Sequence, residues 1–137
     1  MPEPINADEA RIKALLESWA DAVRRHDLPA ILAHHTSDIV MFDLPLPLQC
    51  KGIDAYRQTW DLFFRYREPG AAFEFRELAI TAGSDVAFAI AIMWCGPHSS
   101  SNPAERDGLL FRLTVGLRKI GGEWRITHEH HSEPAKD

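Results

Sequence analysis

Apolar residues in the first part of the chain recur with a helical period. Ile12, Leu15, Leu16, Trp19, Ala20 and Val23 fall at i, i+3, i+4, i+7, i+8 and i+11, which lays one continuous stripe along a helix. Asn6 or Asp8 can cap its start, and Asp8 and Glu9 suit the positive end of the helix dipole. Asp27-Leu28-Pro29 predicts a break and a new cap, with Pro29 in the first turn of a short helix that ends near His34. Asp38 to Asp43 is short, β-branched and apolar, and predicts a buried strand. It runs into Leu44-Pro45-Leu46-Pro47-Leu48, where each proline forbids helix and holds the chain extended. A third helix is expected from Ile53 to Tyr66 after Gly52, with Tyr56, Trp60, Phe63 and Phe64 on one side, stopped by Glu68-Pro69-Gly70.

Beyond Gly70 the period changes to that of strands. Phe73 and Phe75 alternate with polar residues, then the apolar phase slips to Leu78 and Ile80, which predicts a β-bulge near Glu77 and a bent sheet. Gly83-Ser84-Asp85 turns into Val86 to Trp94, which is nearly all apolar and is expected to be covered on both faces. A long loop, Gly96 to Asp107, precedes a last hairpin of Leu109 to Lys119 and Glu123 to Ser132, joined through Ile120-Gly121-Gly122. Helices early and consecutive long strands late argue for an α+β domain, with helices on one side of a strongly curved antiparallel sheet. With no repeat, low-complexity tract or internal linker, the chain is expected to be a single domain over residues 1–137.

Composition narrows the classes. At 137 residues the chain can bury a core without staples, and its hydrophobic fraction of 45% is ordinary for a globular protein. A net charge of −5 with scattered Lys and Arg offers no basic face, so nucleic acid is not an expected partner. No apolar run approaches the roughly 18 residues of a membrane span. The first residues lack the basic and apolar regions of a signal peptide, and Cys50 and Cys95 share no Cys-x-x-Cys spacing. A cytoplasmic protein with two buried thiols, no cofactor and no membrane partner is the resulting expectation.

Candidate chemistry gathers at two places. Asp43, at the end of the first strand, is placed either to act as a general base in a dry pocket or to cap the turn before Leu44-Pro45. The last strand carries His128, Glu129, His130 and His131. His-x-His puts two imidazoles on one face, but no third spaced ligand presents itself, so no metal site is expected. The His34-His35 pair is expected at a solvated helix end, interacting with the dipole. Trp19, Tyr56, Trp60 and Trp94 are expected as core or pocket wall, and several aromatics around one cavity suit a small hydrophobic ligand. The Ser99-Ser100-Ser101-Asn102-Pro103 loop holds no Gly-x-Ser-x-Gly elbow, and no glycine-rich phosphate loop occurs.

The element order, the Trp19-x7-Asp27 spacing, Asp38-to-Asp43 followed by Lys51-Gly52, and the ending Gly121-Gly122-Glu123-Trp124 through Pro134 together resemble the SnoaL-like branch of the nuclear transport factor 2-like superfamily. The resemblance covers nearly the whole chain and implies a cone-like, cystatin-like α+β fold with a pocket between helices and sheet. The Trp124-x-x-x-His128-x-His130-x-Ser132 ending is also similar to the association domain of calcium/calmodulin-dependent kinase II. The match to ketosteroid isomerase is partial. Asp43 stands where that family has its catalytic aspartate, but Trp19 replaces the catalytic tyrosine, and Thr114 or Val115 replaces the oxyanion-stabilising acid. In ketosteroid isomerase the base works with a tyrosine and a protonated aspartic acid as donors; without them, a developing enolate of that kind lacks its two hydrogen bonds.

Strict alternation divides the last hairpin into two faces. Phe111, Leu113, Val115 and Leu117 fall with Trp124, Ile126, His128 and His130, while Arg112, Thr114 and Gly116 fall with Thr127, Glu129 and His131. Hydrophobic pattern alone turns the first set inward. The family resemblance implies that the second set lines the pocket, which leaves the first to be covered by a second subunit. On that reading Arg112 pairs with Glu129 or His131, either to hold a ligand or as a structural bridge. The expected site is therefore Asp43 as base, with Trp19, Tyr56, Trp60, Arg112, Thr114, Glu129 and His131 around the ligand; His128 and His130 are the alternative face. Two functions remain open: an isomerase, cyclase or hydratase-type enzyme acting on a small apolar carbonyl compound, or a non-catalytic homodimeric binding or assembly module.

Overall fold

A computed structural model of the chain describes residues 7–97 and 108–135. Two helices, α1 (Ala7–Arg24) and α2 (Leu28–Leu32), precede two early strands, β1 (His35–Phe42) and β2 (Cys50–Lys51), and a third helix, α3 (Ile53–Phe64), comes after them. Four long strands follow: β3 (Ala72–Ala82), β4 (Val86–Gly96), β5 (Leu109–Ile120) and β6 (Glu123–Ser132). They form one curved six-stranded sheet in the order β2-β1-β6-β5-β4-β3, with the helices on its concave side. All pairings are antiparallel except β1 with β6, which is parallel; the two strands are joined not by a hairpin but by the long crossover through β2, α3 and the other three long strands.

The apolar stripe of α1 does what its spacing dictates: Ile12, Leu16, Trp19, Ala20 and Val23 are buried and the helix lies against β3. Each large side chain removed from water in this way contributes ~1.5–3 kcal/mol. Asp27 caps α2, its carboxylate accepting the Ala30 N–H at 3.2 Å. Asp8, expected as a possible cap, lies within the first turn of α1. It accepts from the Trp124 indole at 3.0 Å and pairs with Lys119 at 3.0 Å, tying the start of α1 to the far end of the last hairpin. The expected cap at Asn6 and the Ser99–Pro103 loop lie outside the described residues.

Two bulges shape the sheet. In β3 the register passes from Phe75 opposite Met93 to Glu77 opposite Ile92, so Arg76 is the extra residue, one position from the expected slip at Glu77. In β6, Gly116 faces His128 but the next pair is Leu117 with Ile126, which leaves Thr127 without a partner. This second bulge overturns the strict two-face division of the hairpin. Trp124 and Ile126 point inward, and one extra residue later Glu129 and His131 point inward as well, across from Val115 and Leu113. Arg112 and Thr114 lie on the exposed outer face with His128 and His130, so the expected pairing of Arg112 with Glu129 or His131 does not form. The inward apolar face is covered by the helices, not by a second subunit.

Three further expectations are corrected. The two-sided covering expected of β4 holds only from Met93 to Gly96, where Trp94 is fully buried; over the first half Ala87, Ala89 and Ala91 are buried, whereas Val86, Phe88 and Ile90 are exposed on the outer face. The short helix stops at Leu32, and β1 begins at His35, earlier than Asp38. His35 is therefore no solvated helix terminus; it is buried at the start of a strand beside Ile126.

Deleting both Thr127 and His128 tests the β6 register. With Ile126 held opposite Leu117, the rest of the strand moves up by one ladder position, placing His130 opposite Val115 and turning the Glu129 carboxylate outward. The expected cost is at least about 3 kcal/mol in a urea titration, the scale for breaking a buried ionic network. Deleting Thr127 alone removes only the unpaired residue and leaves Glu129 opposite Val115, so it is expected to cost far less. Equal midpoints for the single and double deletions would contradict the assigned register.

Candidate functional site

The β6 bulge brings a carboxylate into the interior, and the surrounding elements supply its donors. Glu129 is fully buried. Its Oε2 accepts from the Tyr56 hydroxyl of α3 at 2.6 Å and lies 2.7 Å from Nε2 of His35 at the start of β1. Its Oε1 lies 2.9 Å from Nε2 of His131, two residues along the same strand. Tyr56 in turn accepts from the Trp19 indole N–H at 3.2 Å. A carboxylate can only accept, so each histidine presents Nε2–H to it, and Nδ1 is the nitrogen of His131 left for other contacts. That nitrogen lies 3.8 Å from Oδ1 of Asp43, just beyond the end of β1.

The charges of this network follow from competition between burial and hydrogen bonding. Burial by itself would raise the Glu129 carboxyl, but the hydrogen bonds and positive character of His131 and His35 outweigh it and hold the group at about 2. Burial alone would lower His131, yet its hydrogen bond to Glu129, the Glu129 charge and the Asp43 charge together raise it above the usual imidazole value. Burial, then the neighbouring Glu129 charge, push the Tyr56 phenol well above its ordinary range. Glu129 is thus a fixed anion, Tyr56 a neutral donor, and His131 a group that takes up a proton more readily than a free imidazole.

His131 and Asp43 open into a hollow of about 390 Å³ between α3, the proline segment and the inner sheet. Its wall is apolar: Met41, Trp60, Phe63, Phe73, Leu109 and Phe111 contribute, with Phe111 stacked on the His131 ring at 5.4 Å between centroids. The thiols of Cys50 and Cys95 complete it and are held protonated, each raised chiefly by burial. The volume is that of a small-molecule cavity. Asp43 lines the hollow and also caps the turn before Leu44-Pro45: the Oδ1 that faces His131 accepts the Leu44 N–H at 2.8 Å.

Of the residues expected from sequence, Asp43, Trp60 and His131 line the hollow, and Glu129 sits directly behind His131. Trp19 and Tyr56 are buried one layer deeper, bonded to the network but not lining the cavity. Arg112, Thr114, His128 and His130 lie on the opposite side of the sheet, where Arg112 donates to Ser132 Oγ at 3.0 Å and His128 bonds the Val40 carbonyl at 2.6 Å. Sequence reasoning missed His35, whose partner is 94 positions away. It also missed the bulge, because the residues that turn inward after Thr127 are Glu129 and His131, which lack the apolar slip that revealed the bulge in β3. Among the described residues, no group of three or more His, Cys, Asp or Glu side chains is placed to hold a metal ion, and no helix is long and apolar enough to cross a membrane.

The family model of the SnoaL-like domain matches residues 12–136, and the chain belongs to that family, within the NTF2-like superfamily. A crystal structure of an NTF2-like protein of unknown function from Pseudomonas putida KT2440 is 37% identical, with a TM-score of 0.84 over 95% of this chain and 89% of that one. A ketosteroid isomerase-like protein from Erwinia carotovora atroseptica is similar at 21% identity and a TM-score of 0.72, covering 96% of this chain and all (100%) of the other. A proposed dehydratase of the NTF2-like family from Streptomyces avermitilis is similar at 14% identity and a TM-score of 0.77, covering 96% and 99%. These last two share the fold. No curated protein matches the sequence.

Glu129 is held below its ordinary value of 4.5, so the stability it contributes is complete above that pH and lost as pH falls towards 2. His131 is held above its ordinary value of 6.5, so its contribution is complete below that pH and lost as pH rises through the raised value. The stability difference between wild type and E129Q is therefore expected to be largest between the two ordinary values and to shrink on either side, as read by urea unfolding across pH. E129A, which removes both acceptor oxygens, is expected to cost about 3–5 kcal/mol.

Proposed function

We propose that the chain is an acid–base enzyme acting on a small, mainly apolar carbonyl or hydroxy-carbonyl compound, with the proton transfers carried by its own side chains. The observation that supports this most is the pair of Asp43 and His131 Nδ1, 3.8 Å apart at the wall of an apolar hollow, with His131 backed by the buried Glu129. Asp43, partly open to the cavity, is the base that removes a proton from carbon α to the carbonyl. The electron pair moves into the carbonyl as an enolate, whose oxygen takes a proton or hydrogen bond from Nδ1–H of the protonated His131. Glu129 keeps the ring oriented and its proton affinity high, as a carboxylate behind a catalytic imidazole does. Return of a proton to another carbon gives isomerisation; loss of a β-hydroxyl as water gives dehydration. The ketosteroid isomerase-like and dehydratase relatives are compatible with either course.

5-Nitrobenzisoxazole probes the base without knowledge of the natural substrate. Abstraction of its ring C–H proton by Asp43 forms the nitrile as the N–O bond breaks to the coloured phenolate. Wild type is expected to accelerate this ring opening, D43N to lose about 100-fold or more of the acceleration, and H131Q about 10-fold. A wild-type rate equal to that of a D43N/H131Q double variant would remove the enzyme reading.

We propose also that the outer face of the sheet takes a second copy of the chain. Phe88 and Ile90 of β4 form one exposed apolar ridge and Phe42, His128 and His130 another, with Thr114 and Gly116 of β5 as a shallow groove between them. The charged residues Glu77, Arg112 and Arg118 stand at the margins, an uncharged centre with a polar rim. Ridge and groove on one surface suit two-fold packing. Size-exclusion chromatography with light scattering is expected to give a dimer for wild type and a monomer for F88D at micromolar concentration; a monomeric wild type refutes this surface.

A further inference from the structure

Most large apolar side chains of this protein are buried, but Leu44, Leu46, Leu62 and Tyr66 are exposed at 40%, 90%, 41% and 77%, and all four also line the hollow. They come from two elements that both line it. Leu44 and Leu46 belong to the proline segment after β1. Leu62 and Tyr66 continue a stripe begun by Thr59, at spacings of i+3 and i+7, which turns that side of α3 and its last turn towards the cavity. The result is an apolar collar continuous with an apolar interior. In the described lining the one carboxylate and the one imidazole, Asp43 and His131, form a single pair, and no Lys or Arg stands among the lining residues.

From this collar we propose that the ligand is an elongated neutral molecule: one oxygen-bearing head at Asp43 and His131, and an apolar tail that passes out between Leu46 and Tyr66. The inference rests on the acid–base reading of the site and extends it to the shape and charge of what binds there. The head is uncharged because the one cation the wall can offer, His131, already stands between the carboxylates Asp43 and Glu129, and no lining arginine or lysine supplies a second to offset an anion. The tail is apolar because whatever fills the hollow must cover the collar, and covering exposed leucine and tyrosine is favourable only for an apolar partner. The occupant is the cavity's own ligand, since the same four side chains form the cavity wall and its rim.

The test uses 2-alkanones of increasing chain length as probes, titrated against the intact protein and followed by tryptophan fluorescence, since Trp60 lines the hollow. The dissociation constant is expected to fall roughly threefold to fourfold per added methylene, including for members longer than the hollow itself. In an L46S/Y66S variant the dependence is expected to flatten for those long members while short ones still gain with length. Linear carboxylates are expected to bind at least about tenfold more weakly than ketones of equal length, an electrostatic difference of the order of one pKa unit. A wild-type dependence that ends where the hollow is filled, an unaltered slope in the variant, or carboxylates that bind as well as ketones would each overturn the proposal. Sedimentation with phosphatidylcholine vesicles without any chain-length effect would assign the collar to a lipid surface instead, and a change of mass in L46S/Y66S would assign it to a second copy. Ring opening of 5-nitrobenzisoxazole by wild type reads the chemistry separately. Turnover with a flat alkanone series removes the tail and leaves the enzyme, whereas a steep series without turnover does the reverse.

Discussion

A carboxylate taken out of water must be met by donors or give up its charge, and the interior of this protein is organised around meeting that demand at Glu129. Three elements converge on it: β1 with His35, α3 with Tyr56, and β6 with His131. α1 adds the outer link through Trp19. Each donor is itself buried, so the network sets how the first and third helices sit against the curved sheet. Removing one partner from such a cluster leaves charge in a medium that solvates it poorly, which makes the arrangement all-or-none.

The same constraint passes to the cavity. Because Glu129 stays ionised, it fixes the Nε2 side of His131 and leaves Nδ1 for the hollow. Because Asp43 comes from a different strand, its distance from that nitrogen depends on the parallel pairing of β1 with β6, in which Met41 lies opposite Glu129 and Phe42 opposite His130. The protein thus keeps a permanent charge one layer below the cavity and a titratable pair at its wall. The apolar lining raises the weight of both, since fewer water dipoles compete with them.

The two sides of the sheet have separate tasks in this arrangement. The concave side holds the network and the hollow. The convex side carries an uncharged centre of Phe88, Ile90, His128 and His130 with charges at its margin.

The sequence by itself determined the helices, the long strands and the bend in β3, because these follow from local periodicity: the stripe from Ile12 to Val23 and the slip from Phe75 to Leu78 are signals within a few residues. It also marked Asp43 and His131, through their position at strand ends and their resemblance to a known family. What it could not determine was which face of β6 is inside. One unpaired residue, Thr127, shifts the phase, and the residues after it are Glu and His, which carry no apolar signature to show the shift. Strict alternation therefore groups Arg112 and Thr114 with the pocket residues, and the bulge leaves them outside it. The bond between His35 and Glu129 spans 94 positions and has no local trace. Only the folded sheet, which sets distant strands side by side, decides whether a buried carboxylate finds its donors.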